Sequence, residues 1–154
     1  MKTLTSLIIA ITVIILGLSS GAMLTEAVVL VGYWRSLPPQ EFLNWFKSNE
    51  PLLTSFFGTL QILSLVLTVI SIGLFRYLHR STSIFLVSVV FSVLVLATYF
   101  LYFKGVNTSF LEGTIKLDMV ANELIVWGLW QWIRTALGIS AFITAMLATQ
   151  EKIK

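Results

Sequence analysis

Four long apolar segments alternate with shorter polar segments along the 154-residue chain. The apolar segments run over about residues 4–31, 52–75, 83–103 and 124–149. A helix of roughly 20 apolar residues spans the core of a bilayer, and each segment reaches that length. The alternation of apolar and polar residues that is typical of transmembrane β-strands is missing. The pattern therefore predicts an all-α integral membrane protein, in which residues 1–154 form a single domain, a four-transmembrane-helix bundle.

The first apolar segment has two interpretations. Lys2, the apolar run that follows it and the small residues at positions 19–22 have the layout of a cleaved signal peptide. The apolar core of a signal peptide, however, spans about 7–15 residues, and this run is much longer. We therefore expect the segment to be retained as the first helix of the bundle.

The three connections between the segments differ in length and charge. A short turn over residues 76–81 is rich in basic residues, whereas the connections over 32–51 and 104–123 are longer and nearly charge-balanced. The side that holds the short turn and both termini carries five basic residues: Lys2, Arg76, Arg80, Lys152 and Lys154. Basic residues concentrate on the cytoplasmic side of a membrane. We therefore predict a multi-pass protein of the cell membrane with both termini and the short turn in the cytoplasm, and two longer outer loops.

The first outer loop contains a segment with helical character. Pro38 and Pro39 suit the start of a helix, where the missing N–H group is harmless. Phe42, Trp45 and Phe46 then fall on one face at helical spacing. Two interpretations fit this pattern: a helix that lies flat on the membrane surface, or a loop with aromatic anchors.

Composition removes several classes of function. Hydrophobic residues make up 57% of the chain and charged residues only 11%, against about 25% charged in a soluble domain. The chain has no cysteine and one histidine, His79, so thiol catalysis and disulfides are excluded and we expect no metal site. The basic residues are scattered, and we expect no nucleic-acid partner. Membrane lipids are the expected surroundings.

Polar side chains inside the spans are the first candidates for a functional site. An ionisable side chain near the bilayer centre costs at least about 2.5–3.5 kcal/mol and should face the bundle with a partner. From a helical rise of about 1.5 Å per residue, Glu26 lies about 8 Å, Gln61 about 14 Å and Arg134 about 15 Å below the outer surface. Tyr99 lies near the outer end of the third span. All four helices thus place polar groups in the outer half.

The last helix has the most regular pattern. One face carries four residues at helical spacing, namely Glu123, Trp127, Trp130 and Arg134. Small residues at Gly138, Ala141 and Ala145 continue this stripe towards the cytoplasm, where they allow another helix to approach closely. We therefore predict a tight cytoplasmic half and a wider outer half that suits a flat, mostly apolar ligand with a polar edge.

Two simpler interpretations remain open for these residues. Glu26 and Arg134 are equally well explained as a salt bridge that fixes the register of two helices without any ligand. An interfacial belt of aromatic residues also explains Trp127, Trp130 and Trp132, of which Trp127 suits a belt well and the other two lie deeper.

Three stretches of the chain resemble the anthrone oxygenase-like family of small four-helix membrane proteins. These are Gly17–Glu26 (GLSSGAMLTE), Tyr33–Phe42 (YWRSLPPQEF), and Asn122 with the last-helix residues Trp127, Trp130, Trp132, Ile133, Arg134 and Thr135. The family shares a glycine-containing first helix, a proline-bounded amphipathic loop, and an asparagine before a last helix with tryptophan and then arginine. The histidine usual beside that arginine is absent here, where Trp132 and Ile133 stand.

The resemblance implies an activity and a set of site residues. Fungal members of the family oxygenate anthrones to anthraquinones without a metal or flavin, so the resemblance implies an enzyme with no cofactor. In this interpretation Arg134 stabilises a substrate anion and Glu26 is the base. Trp127 and Trp130 stack on the substrate ring, and Asn122 donates a hydrogen bond near the mouth. Gln61 and Tyr99 complete the expected ligand-binding set.

A second class of function is kept as an alternative. The chain would then be a non-catalytic membrane subunit, or a lipid-binding or structural module, that packs against larger membrane partners or against copies of itself. A transporter is disfavoured, because the four spans lack the internal repeat and broken helices of many transporters.

Overall fold

The structure is a computed structural model that describes residues 2–78 and 82–150. Over these residues it contains four long helices and no β-strand: α1 (residues 2–36), α2 (Pro39–Tyr77), α3 (Ser83–Glu112) and α4 (Leu117–Gln150). Each is long and apolar enough to cross a membrane. The predicted all-α four-helix fold is confirmed, and the chain is a multi-pass membrane protein. The basic residues predicted to face the cytoplasm at positions 80, 152 and 154, and His79, lie outside the described residues.

The helices form a closed bundle in chain order. α1 packs on α2, α2 on α3 and α3 on α4, and α4 closes the ring against α1. Helices suit these sequences because a helix satisfies its own backbone hydrogen bonds in lipid. We call the end that holds residues 2 and 150 the terminal end, and the opposite end the distal end.

Three of the helices contain a π-helical turn, over Glu26–Leu30 in α1, Thr54–Gly58 in α2 and Tyr99–Phe103 in α3. The regular α-helical parts are Lys2–Thr25 and Val31–Ser36 in α1, Pro39–Leu53 and Thr59–Tyr77 in α2, Ser83–Thr98 and Lys104–Glu112 in α3, and Leu117–Gln150 in α4. All three π-helical turns lie in the distal half of the bundle.

The two connections predicted as outer loops are mostly helical, so the predicted helix ends there are wrong. The break between α1 and α2 falls at Leu37 and Pro38, where Leu37 is extended with φ −84° and ψ 146°. A residue before proline avoids the helical region, which explains the position of this break. α3 ends at Glu112, and the next residue, Gly113, has a φ of 68°, a left-handed conformation that favours glycine. Charged residues marked the end of each apolar span but not the end of its helix.

The aromatic segment at the start of α2 caps the distal end of the bundle. Phe42 is 0% exposed and Phe46 is 2% exposed. Their rings lie 5.0 and 5.6 Å from the ring of Phe110 in α3, and both also contact Trp34 of α1. This segment is a helix packed on the bundle core, so neither the flat surface helix nor the loop with membrane anchors describes it.

Small residues bring the helices together in the terminal half, as predicted. A Cβ atom on Gly138 would collide with the side chain of Met23, so the glycine allows α1 and α4 to pack closely. Ala141 is buried, and its carbonyl oxygen accepts a hydrogen bond from Ser88 Oγ of α3 at 2.7 Å. Interhelical bonds of this kind are typical of close helix pairs in membranes.

Candidate functional site

A cavity with a volume of about 340 Å³ opens among the four helices in the distal half. Its lining consists of Glu26, Trp34, Phe46, Glu50, Leu53, Thr54, Phe57, Gly58, Thr59, Gln61, Ile62, Leu96, Tyr99, Phe100, Asn107, Trp127 and Arg134. Aromatic and aliphatic side chains predominate, and a few polar groups converge among them. Volume and lining both fall within the range of small-molecule sites.

Each of the three π-helical turns contributes to the wall of this cavity. Glu26 begins the turn in α1, Phe57 and Gly58 lie in the turn of α2, and Tyr99 and Phe100 lie in the turn of α3. A π-helical turn accommodates one extra residue, which changes the direction of the side chains on either side of it, and such turns are frequent at functional sites. The irregular helix geometry is therefore concentrated around the cavity.

A buried ion pair joins α1 to α4 at the polar side of the cavity. Arg134 Nη2 lies 3.8 Å from Glu26 Oε2, and the residues are 6% and 5% exposed. The same Glu26 oxygen accepts a hydrogen bond from Gln131 Nε2 at 3.0 Å. Both contacts therefore fall on Oε2, and Oε1 has no hydrogen bond among the described residues. A carboxylate oxygen beside an apolar cavity is suitably placed to accept a proton.

Arg134 has two further partners in the bundle. With the Gln61 amide turned so that its oxygen faces the guanidinium, this oxygen accepts hydrogen bonds from Arg134 Nη2 and, at 3.2 Å, from Arg134 Nε. The guanidinium carbon lies 4.9 Å from the centre of the Phe103 ring, in a cation–π contact. Helices α1, α2 and α3 thus all contribute to holding the guanidinium in the cavity wall.

A second pair of bonds fixes α4 against the backbone of α1. Gln131 Nε2 donates to the carbonyl oxygen of Met23 at 3.0 Å, and Thr135 Oγ1 donates to the same oxygen at 3.2 Å. Met23 precedes the π-helical turn of α1 by three residues. These bonds determine the relative position of α1 and α4, and hence the position of Glu26 beside Arg134.

Five of the seven residues predicted from the sequence line the cavity: Glu26, Gln61, Tyr99, Trp127 and Arg134. Trp127 is 2% exposed, and its Nε1 donates to Asn107 Oδ1 at 3.0 Å. The predicted convergence of polar groups from all four helices therefore matches the observed geometry.

The other two predicted residues do not line the cavity. Trp130 stacks on Tyr102 of α3, with ring centres 5.1 Å apart and planes 8° apart, and Tyr102 donates to Glu123. Residues three apart on a helix point about 60° from each other, so Trp130 faces α3 while Trp127 faces the bundle centre. Asn122 is exposed at the distal end of α4.

Two functional candidates in the described residues were not selected from the sequence. Trp34 is 1% exposed and lines the cavity, and its Nε1 has no hydrogen-bond partner among the described residues. Gln131 is 0% exposed and bonds directly to Glu26. Gln131 had a usable signal, since a polar residue lies three positions before Arg134 within a span. Trp34 had none, because it follows the predicted end of the first span.

Two apolar residues of the cavity lining are exposed on the flank of the bundle. Ile62 of α2 is 57% exposed and Phe100 of α3 is 63% exposed, and both line the cavity. These exposed side chains lie on helices that would be surrounded by lipid. Part of the cavity lining therefore belongs to residues that also lie on the lipid-facing surface of the bundle.

Within residues 2–78 and 82–150, no group of three or more His, Cys, Asp or Glu side chains is arranged to hold a metal ion. Comparisons with protein-family models, with curated proteins and with solved structures found no match.

Proposed function

We propose that this protein binds a flat, mostly apolar molecule in the distal cavity. The observation that carries the proposal is the combination of an aromatic cavity of about 340 Å³ with a buried Glu26–Arg134 pair in its wall. Charged residues inside a membrane are expensive and mark functional sites by default. A flat ring system with a polar edge complements such a lining, its rings against Trp127 and Tyr99 and its edge towards Arg134.

The exposed lining residues Ile62 and Phe100 support a cavity mouth beside them and a ligand that is soluble in lipid. Ile62 and Phe100 would contact acyl chains, so the ligand can enter sideways without crossing water.

The proposed location is the cell membrane with both termini in the cytoplasm, as the basic residues of the sequence indicate. This orientation is tested by fusing to the C-terminus a reporter enzyme that is active only in the cytoplasm, and the fusion should be active. Activity of a C-terminal reporter that works only in the periplasm or the lumen would contradict the orientation.

The proposed chemistry is oxygenation without a cofactor, as the resemblance to anthrone oxygenase-like proteins implies. The Glu26 carboxylate removes a proton from an activated CH₂ group of the substrate. Arg134 stabilises the resulting enolate, which adds molecular oxygen. Loss of one water molecule from the hydroperoxide then leaves a new carbonyl, so that one oxygen atom of O₂ enters the product and the other leaves as water.

Conversion of anthrone under oxygen-18 gas tests this proposal. The protein in lipid nanodiscs is expected to form anthraquinone with one labelled oxygen, faster than empty nanodiscs do. Substituting Glu26→Gln keeps an oxygen that accepts from Gln131 but removes the base, and should lower the rate by about 10²–10⁴-fold. Glu41→Gln, at an exposed position at the start of α2, is the matched control and should retain the rate. Full activity of Glu26→Gln contradicts the proposed base.

A non-catalytic role is the second candidate, and the bonds between α1 and α4 favour it. Glu26, Gln131 and Thr135 connect the two helices whether or not the cavity is occupied. A purely structural pair predicts that the double substitution Glu26→Leu with Arg134→Leu preserves stability and function. A subunit role predicts that a fixed membrane partner co-purifies in mild detergent, and a monodisperse isolated protein would count against it.

A further inference from the structure

A second, much smaller cavity lies on the terminal side of the distal cavity. Its volume is about 20 Å³, and Gln61 lines both cavities. Four serines from three helices complete its polar lining: Ser19 and Ser20 of α1, Ser64 of α2 and Ser92 of α3. A water molecule needs about 10–15 Å³ of such volume and two to four polar partners. The small cavity is therefore large enough for one water molecule and too small for a larger ligand.

The register of α1 and α2 brings two of these serines to the same level. Thr12 Oγ1 and Ser71 Oγ lie 2.9 Å apart, which fixes the level of these two antiparallel helices relative to each other. Ser19 follows Thr12 by seven residues, and Ser64 precedes Ser71 by seven. Each serine therefore lies about 10.5 Å further towards the distal end, about two helical turns, on the same side of its helix.

Three of the four serines have oxygen lone pairs, but no hydrogen, left for a molecule in the small cavity. A serine hydroxyl has one hydrogen and two acceptor lone pairs. Ser20, Ser64 and Ser92 each donate that hydrogen to the carbonyl oxygen four residues earlier, at 2.8, 2.7 and 2.9 Å.

Ser19 is the exception among the four serines. No hydrogen bond joins its hydroxyl to another described residue. Ser19 is 5% exposed, yet its oxygen is not one of the unpaired atoms that the protein encloses completely. The oxygen therefore retains surface that a water molecule in the small cavity can contact, and its hydrogen is available as a donor.

Gln61 adds further donors to the same lining. Its oxygen accepts from the Arg134 guanidinium when the amide is turned towards it, so its Nε2 group points away from Arg134. No described residue accepts a hydrogen bond from that nitrogen in this orientation. The amide nitrogen carries two hydrogens, and a buried donor without an acceptor costs free energy.

We propose that the small cavity binds one water molecule. This water accepts hydrogen bonds from Gln61 Nε2 and Ser19 Oγ, and it donates its own two hydrogens to oxygens of the other three serines. All four hydrogen-bonding positions of the water are then used. Water fits this lining better than a cation does, because Gln61 presents N–H hydrogens and no carboxylate lines the small cavity.

The water gives the four serines a role in positioning Arg134. A Gln61 amide turned by 180° would direct its NH₂ group at the guanidinium, donor against donor. An acceptor at the other end of the amide stabilises the orientation in which the oxygen faces Arg134. The serines therefore act on Arg134 through the water and Gln61, whether or not a ligand occupies the distal cavity.

Magic-angle-spinning NMR of the unmodified protein tests for the water. The ¹³C,¹⁵N-labelled full chain is studied in lipid bilayers without ligand, and magnetisation is transferred from water protons to carbon. Ser64 Cβ and Ser92 Cβ should give water cross peaks. Ser71 Cβ is the internal control and should give none, because Ser71 is 0% exposed and lines neither cavity. Absence of the cross peaks at both Ser64 and Ser92 overturns the proposal. Because no ligand is added, this outcome is separate from that of the proposed binding function.

The variant Ser92→Val tests the site and its effect on Arg134. Valine removes the hydroxyl and adds a methyl group, which should displace the water and abolish the cross peak at Ser64. The Arg134 ¹⁵Nε resonance should shift or split, because the Gln61 amide loses its fixed orientation. Ser140→Val is the matched control and should leave both signals unchanged, since Ser140 also donates to the carbonyl oxygen four residues earlier and lines neither cavity.

Two results with Ser92→Val would contradict the proposal. A Ser64 cross peak that persists in this variant overturns the water site. An Arg134 resonance that stays unchanged after the cross peak is lost overturns the positioning role.

Discussion

Replacement of Arg134 by methionine removes the positive charge beside Glu26 and keeps an unbranched side chain of similar length. Glu26 is 5% exposed, and its Oε2 lies 3.8 Å from Arg134 Nη2. After the substitution, the hydrogen bond from Gln131 would be the remaining polar contact of that oxygen. Removing one partner of a buried ion pair costs about 3–5 kcal/mol. We expect Arg134→Met to lower the free energy of unfolding by that amount.

The cost should fall when Glu26 is also made neutral. In the double variant Glu26→Gln with Arg134→Met no charge remains buried at this position, and the new glutamine still offers an oxygen to Gln131. What remains is the loss of the hydrogen bonds to Gln61 and of the contact with Phe103. The double variant should therefore be more stable than Arg134→Met by about 2–3 kcal/mol, because the two residues are directly coupled.

These differences in stability are measured by equilibrium unfolding in bicelles. The concentration of a denaturing detergent is varied, and tryptophan fluorescence reports the unfolding. Arg35→Met is the matched control, since Arg35 is exposed at the distal end of α1 and should change stability by less than about 0.5 kcal/mol. A double variant that is no more stable than Arg134→Met would show that the destabilisation does not come from an unpaired Glu26.

Three further outcomes follow from the packing and from the mouth of the cavity. Gly138→Leu should overpack α1 against α4 and cost about 1–3 kcal/mol in the same unfolding assay, while Gly21→Leu, which meets no atom within 4 Å at its Cβ, should be neutral. Ser88→Ala removes the bond to the Ala141 carbonyl and should cost about 0.6 kcal/mol. Phe100→Ala enlarges the mouth and should speed association of the flat aromatic ketone 9-fluorenone, measured by stopped-flow fluorescence, without changing stability; unchanged association would place the entrance elsewhere.

The bundle could be predicted from the sequence because long uncharged segments leave few alternatives to a transmembrane helix. The helix ends could not be predicted in the same way. Residues 32–51 are polar enough to be interpreted as a loop, yet Phe42 and Phe46 are buried against Phe110 from α3. That contact joins residues far apart in the chain, and no local pattern indicates it. Pro51, the last residue of the predicted connection, likewise lies inside α2, three residues before a π-helical turn.

The candidate site could be predicted only in part, because the sequence indicates the depth of a side chain in the membrane but not its direction around the bundle. Glu26, Gln61 and Arg134 are polar residues at matching depths, and depth follows from counting residues along a helix. The direction of a side chain around the bundle also depends on the neighbouring helices. Trp130 therefore faces Tyr102 although it shares a broad helical face with Trp127. The three π-helical turns change these directions further, and the sequence gives no simple signal for them.

The decisive measurement for ligand binding in the distal cavity is a structure of the protein in lipid nanodiscs with the flat aromatic ketone 9-fluorenone added. We expect density for the flat ring system in the distal cavity, with its polar edge towards Arg134 and with Arg134 still beside Glu26. A cavity closed by side chains, or filled by a lipid chain that the probe does not displace, would contradict it.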